Sequence, residues 1–322
     1  MTSVYGYRSL IEAIRDGLSG NRRLQIAGVS ETLAELVLLN LIVDEKVCPG
    51  PIVVVVPTSK DISNWLQFLA AASQTLNHRV SGYAPAILPF YASYGNDRFI
   101  NHSLSRRQRI HALSKLRQPG GRAVLVTTLQ AMAQTTIPFS DVDSAILKLV
   151  VGAEFDQDHL ITIIEDLGYL PCSAVTEEGS YSVRGGILDI FPLDLDDPVR
   201  VEFVGDLITS IRAFSVSDQR SRRSLESVLL PPAYEVLTPS GLRRNQAQTL
   251  FNLLIEQNVP AADRDGMISQ FQQGLKFSGF DMLSPALREQ SIPTIDAVPN
   301  LSTFLFPQSI SACVEAFGSY FD

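Results

Sequence analysis

Cysteine is scarce: Cys48, Cys172 and Cys313 stand alone among 322 residues. Three isolated thiols cannot build a disulfide framework, and none belongs to a Cys-x-x-Cys pair, so a reduced, cytoplasmic setting is expected. Histidine is as thin. His78, His102, His111 and His159 are scattered, with no second His or Cys at the spacing a zinc site needs. Charge is modest, at 19% of residues, and the formal net charge is −8. Broad binding to nucleic acid needs Lys and Arg to neutralise phosphates, which argues against it in an acidic chain and leaves room only for a local basic patch. The longest apolar run, residues 52–56, is far shorter than the ~20 residues of a membrane-spanning helix. Residues 1–5 show no charged-then-apolar signal pattern. There is no Gly-x-Ser-x-Gly nucleophile elbow. The acid pairs Glu177-Glu178 and Asp196-Asp197 fall in turns, where solvated carboxylates are the ordinary finding.

What is present is enough for a packed core. Hydrophobic residues make up 45% of the chain, and its length suits two domains or three. Leu10, Ile11, Ile14 and Leu18 have helical spacing, and residues 24–29 read as a short strand. Ser30 is a good N-cap for an apolar helix from Thr32 to Val43. Residues 52–56 read as a buried strand ending at Pro57. The next helix is capped by Ser59 or Asp61 and carries Trp65, Leu66, Phe68 and Leu69. A further helix at 101–117, opened by Asn101 or Ser103, leads to a strand at 122–128. Strands alternating with helices of this length predict a parallel, helix-covered sheet, assigned to residues 1–141.

Strands then predominate. A strand at 145–151 and a helix at 156–167 lead into a meander, so an α+β domain is expected over 142–232. Helices return at 241–257 and 262–275, followed by one strand candidate at 303–306. That tail has too few strands for a sheet of its own, so residues 233–322 are expected to rejoin the first domain. The middle domain becomes an insertion.

Three stretches could carry chemistry. Residues 26–32 (Ile-Ala-Gly-Val-Ser-Glu-Thr) sit where a strand meets a helix, the usual place for a phosphate loop. They have one Gly and no Lys, and Glu31 would oppose a phosphate. Arg106, Arg107, Arg109, Lys115 and Arg117 make one helix basic, either as a solvated face or as a nucleic-acid contact. Within the meander, Val199, Val201 and Phe203 alternate with Arg200 and Glu202, and Gly205-Asp206 reads as a tight hairpin turn. Tyr181 and Val183 share one face, Ser182 and Arg184 the other. Gly185-Gly186 then breaks the alternation. Arg184 is either a surface Arg beside a turn or a cation aimed at a partner's carboxylate or carbonyl.

Gly168-Tyr169, the run from Glu178 to Pro192, residues 199–206, Ile211-Arg212, Phe214, residues 218–221 and Leu229-Leu230-Pro231 resemble, in order and spacing, the N-terminal UvrB-like region of the bacterial transcription-repair coupling factor family (Mfd). The resemblance covers most of the chain and is most specific between 168 and 232. It implies an α/β fold: a degenerate helicase-like (P-loop-type) parallel-sheet domain in two pieces, without a working phosphate loop. The inserted α+β domain would resemble the part of UvrB that docks on UvrA. UvrA is the implied partner. RNA polymerase, DNA, ATP and Mg would engage regions of the family protein beyond this chain, which itself takes no cofactor. The UvrA contact would centre on Arg184, with Tyr181 and Phe191 on the same hairpin. Leu170 stands where related sequences can place a basic residue. In the resting family protein a C-terminal domain masks this face.

Overall fold

The computed structural model describes residues 12–14, 16, 30–44, 47–76, 84–89, 103–117, 123–136, 138, 145–235, 237–238, 241–275, 277, 279–287, 291–299 and 302–319. The strand expected at 24–29 and most of the helix expected at 5–18 lie outside these residues. Helix α1 (Glu31–Val43) starts where Ser30 accepts a hydrogen bond from the Leu33 amide, as its N-cap role requires. Strand β1 (Ile52–Val55) is buried along its whole length. Helix α2 (Ser59–Leu76) is capped one residue earlier than expected. The Thr58 amide and hydroxyl both donate to the Asp61 carboxylate, at 3.1 and 2.7 Å, which supplies one half of a capping box. Strand β2 (Ala84–Leu88) has no counterpart in the sequence reading. Helix α3 (Ser103–Arg117), strand β3 (Ala123–Thr127) and helix α4 (Leu129–Ala133) follow.

Strand β4 (Leu147–Val150) then leads to helix α5 (Gln157–Asp166), capped by Asp156. Six strands come next: β5 (Leu170–Pro171), β6 (Ser180–Arg184), β7 (Ile187–Ile190), β8 (Val199–Val204), β9 (Leu207–Phe214) and β10 (Ser221–Leu225). Strand β11 (Ser227–Leu230), helices α6 (Arg243–Glu256) and α7 (Ala261–Gln272), strand β12 (Thr303–Leu305) and helix α8 (Ile310–Gly318) complete the set needed here.

The result is a mixed α/β protein of two compact units. One comprises residues 1–90, 112–134 and 293–322 and holds a parallel sheet ordered β12-β1-β3-β2. Its apolar cluster joins Val37, Leu38 and Ile42 of α1 to Trp65 and Leu69 of α2 and to the sheet residues Val54 and Val126. The other comprises residues 91–111 and 135–292. Its six strands run in the order β10-β9-β8-β7-β6-β5, antiparallel except for the parallel pair β5–β6. These units differ from the sequence-based limits of 142–232 and 233–322. Leu250 and Leu254 of α6 and Met267 and Phe271 of α7 share one apolar cluster with Leu160, Ile164 and Val201. Both helices therefore belong with the six-stranded sheet, and the return to the parallel sheet begins only at residue 293.

Candidate functional site

The six-stranded sheet has one face turned to its core. Tyr181, Leu188, Ile190, Val199, Val201, Phe203, Ile208 and Ile211 all lie in the buried cluster. The alternate positions form the outer face, and the strand register arranges them in rows. One row is Ser182, Asp189, Arg200, Arg212 and Ser224. The next is Arg184, Ile187, Glu202 and Ser210.

The β6–β7 hairpin places Arg184 at the end of its strand. Gly185 takes φ 58°, which a side chain would strain. Gly186 is needed for a different reason. A Cβ there would stand 2.6 Å from the Phe203 carbonyl oxygen, while the Phe203 amide donates to the Gly186 carbonyl at 2.7 Å. The hairpin end thus lies hard against β8. The Arg184 guanidinium is exposed and donates to the Ser173 carbonyl, which ties it to the neighbouring loop.

The four residues expected at the contact separate into two kinds. Arg184 and Leu170 are exposed on the outer face. They are not brought together: Leu170 pairs with Ser180, four residues or ~13 Å along β6 from Arg184. Tyr181 and Phe191 are core residues. Tyr181 is buried on the inner face and its hydroxyl donates to Glu165 Oε1 at 2.7 Å. Burial, and then that bond, raise its pKa above the ordinary tyrosine value. Phe191 packs in a small cluster with Val175 and Phe214. Tyr181 supports the hairpin from the inner face, Phe191 sits in a separate buried cluster on the side of Arg200, and neither offers much surface.

Outer-face pairs missed in the sequence flank Arg184. Arg200 grips Asp189 with two bonds, Nε to Oδ1 at 2.7 Å and Nη2 to Oδ2 at 2.9 Å, and lies over the Phe214 ring. Hydrogen bonding to Asp189 raises the Arg200 pKa further. Glu202 accepts from Ser210 Oγ at 2.7 Å and Arg212 Nη2 at 3.0 Å. The signal in the sequence was the alternation of Arg200 and Glu202 with the buried valines. It placed these charges on one face without naming their partners.

The basic helix α3 serves neither purpose expected of it at Arg106 and Arg109, whereas Arg107 is exposed. Arg109 is 0% exposed, and its Nε and Nη2 donate to the two Glu235 oxygens at 2.5 and 3.2 Å. Arg106 pairs with Asp281 at 3.2 Å and lies 4.2 Å from the Tyr234 ring centre. Arg107 pairs with Glu178. These cations are tied to the protein's own carboxylates. Of residues 26–32, those at 26–29 lie outside the described residues. Among the described residues there is no cluster of three or more potential metal ligands, and no helix long and apolar enough to cross a membrane.

Comparison with known proteins fits the position of this sheet. The family described as "UvrB interaction domain" matches residues 147–235, which contain all six strands. The chain is similar to the transcription-repair-coupling factor of Myxococcus xanthus, 32% identical over 188 residues, covering 58% of this chain and 16% of that protein. It is 29% identical over 246 residues to that of Mycobacterium tuberculosis (74% of this chain, 19% of the relative). It is 26% identical over 250 residues to that of Escherichia coli K12 (76% and 20%). The chain thus spans 16–20% of the length of these curated relatives. Residues 147–235 thus match the UvrB interaction domain family, and the chain resembles the transcription-repair-coupling factors along most of its length.

Proposed function

We propose that this chain is a non-catalytic docking module, cytoplasmic, that recruits UvrA for nucleotide excision repair at a stalled RNA polymerase. The observation that carries the reading is Arg184. It is an exposed cation on a rigid two-glycine hairpin, within the stretch that matches an interaction domain. A guanidinium held on a sheet is suited to forked hydrogen bonding with a partner's carboxylate. Leu170 brings no charge, so Arg184 carries more of the electrostatic contact. The parallel-sheet unit acts as scaffold, a degenerate helicase-like domain split by the inserted unit. ATP, Mg, DNA and RNA polymerase engage other regions of the longer protein.

Titration of UvrA against the chain and its Arg184→Ala form tests this. The expected loss is at least ~2 kcal/mol, about 30-fold in Kd, if Arg184 is a hot spot. Undiminished binding by the variant removes the role assigned to Arg184. Millimolar ATP should leave the melting temperature unchanged, because only a ligand of the folded state raises it. A rise would favour a nucleotide-binding helicase fragment instead.

A further inference from the structure

Beside Arg184 the outer face turns apolar. Val204, 71% exposed, is the most exposed large hydrophobic among the described residues. It pairs across the β8–β9 hairpin with Leu207, which is 40% exposed. Ile187, 37% exposed, is the cross-strand partner of both Arg184 and Glu202. Glu202 precedes Val204 by one step on the same face, which makes Ile187 and Val204 diagonal neighbours ~7–8 Å apart. Three apolar side chains and one cation therefore share one end of the sheet.

Hairpin tips in solvent are ordinarily polar and mobile. Here Val204 and Leu207 flank the Gly205-Asp206 turn, and the backbone of the tip is tied down. Gln157 Nε2 donates to the Gly205 carbonyl at 2.9 Å. The Phe155 amide donates to the Asp206 carbonyl at 2.8 Å, and the Gly152 amide to the Ile208 carbonyl at 2.8 Å. The Ile208 amide returns a bond to the Ala153 carbonyl at 2.9 Å. A bridge between Glu154 and Leu207 completes the seam. Fold stability gains nothing from holding exposed apolar groups so firmly, whereas a binding surface gains by losing less freedom on association. Contiguous exposed apolar groups rimmed by charge are a mark of an interface.

We propose that Val204, Leu207 and Ile187 form the apolar half of the docking face whose charged half is Arg184. The partner presents an apolar hollow bordered by a carboxylate. This rests on the docking reading above and takes UvrA as the occupant. A second copy of the chain fits less well. A two-fold contact would bring the patch against itself and set Arg184 near its own twin. Glu202 could not balance that charge, since Arg212 and Ser210 already engage it.

The test is titration of UvrA against the wild type, Val204→Asp, Leu207→Asp and Arg184→Ala, each at low and high salt, with sedimentation of the chain alone. Val204→Thr, nearly isosteric, serves if an Asp variant melts early. The expected result is a loss of about tenfold or more for each Asp variant, because a charge is driven into an apolar contact. That loss should persist at high salt, whereas the share due to Arg184 fades. Wild-type binding with both apolar variants within about twofold overturns the apolar half and leaves the docking reading standing. No binding by the wild type overturns both. Self-association of the wild type that Val204→Asp abolishes, with UvrA binding unchanged, makes a second copy the occupant and overturns the proposal.

Discussion

Replacing Arg109 by Met should destabilise the unit built on the six-stranded sheet more than any surface change. Arg109 is 0% exposed and holds both oxygens of Glu235, whose side chain is 7% exposed. Removing the guanidinium leaves a carboxylate in a dry site. Breaking a buried pair from one side costs about 3–5 kcal/mol, because the remaining charge keeps its desolvation penalty and loses the guanidinium. For a body of this size 1 kcal/mol shifts Tm by about 2–4 °C, so the expected drop is about 6–20 °C. Thermal melts followed by circular dichroism, with urea unfolding for the free energy, would measure it. The double variant Arg109→Met, Glu235→Leu removes both charges and should recover most of the loss, since apolar replacement of a whole buried pair is often near neutral. A single variant within about 2 °C of wild type would refute the assignment of Arg109 as Glu235's counter-charge. A double variant as unstable as the single would show that packing, not charge, was lost.

Gly186→Ala should cost about 1–3 kcal/mol by urea unfolding, because its Cβ would stand 2.6 Å from the Phe203 oxygen and β8 cannot yield as a side chain would. An unchanged midpoint would mean that the hairpin end is loose. Glu178 has its pKa raised by burial, with the Arg107 pairing opposing. Its native form therefore holds a proton more tightly than its unfolded form. The contribution to stability falls as pH rises from the ordinary value of 4.5 through the raised one, then levels. Glu178→Gln cancels that dependence. The Tm difference, variant minus wild type, should grow across that window, and parallel curves would refute the coupling.

Much of the parallel sheet was legible because residues 52–55 and 123–127 are uninterrupted buried runs. Strand β2 was not, because Pro85 argues against a strand. It is admitted here because β2 lies at the sheet edge among the described residues, where a missing N–H breaks no inner ladder. Strand β10 was concealed by exposure. Arg222 and Arg223 lie on an edge strand, where charge keeps edges from pairing with other chains. The hairpin at Arg184 was visible through its glycines. The burial of Tyr181 was not, since it depends on the cross-strand partner Ile190 and on Glu165. The basic helix was the hardest case. The partners of Arg106, Arg107 and Arg109 are Asp281, Glu178 and Glu235, all distant in sequence, and local composition has no access to such pairings.

The parallel register of β1 with β12 sets Ile52 against Thr303. During synthesis β1 waits for that neighbour while some 250 residues are made, roughly 10–50 s at 5–20 residues per second. Until then Ile52–Val55, four buried aliphatic residues with no charge among them, is an open edge of the kind that recruits foreign strands. The unit that holds the six-stranded sheet can complete itself first, since all its pieces precede residue 293. Any shortened version ending before Thr303 makes that exposure permanent, and its loss to aggregates would have nothing to do with the face around Arg184.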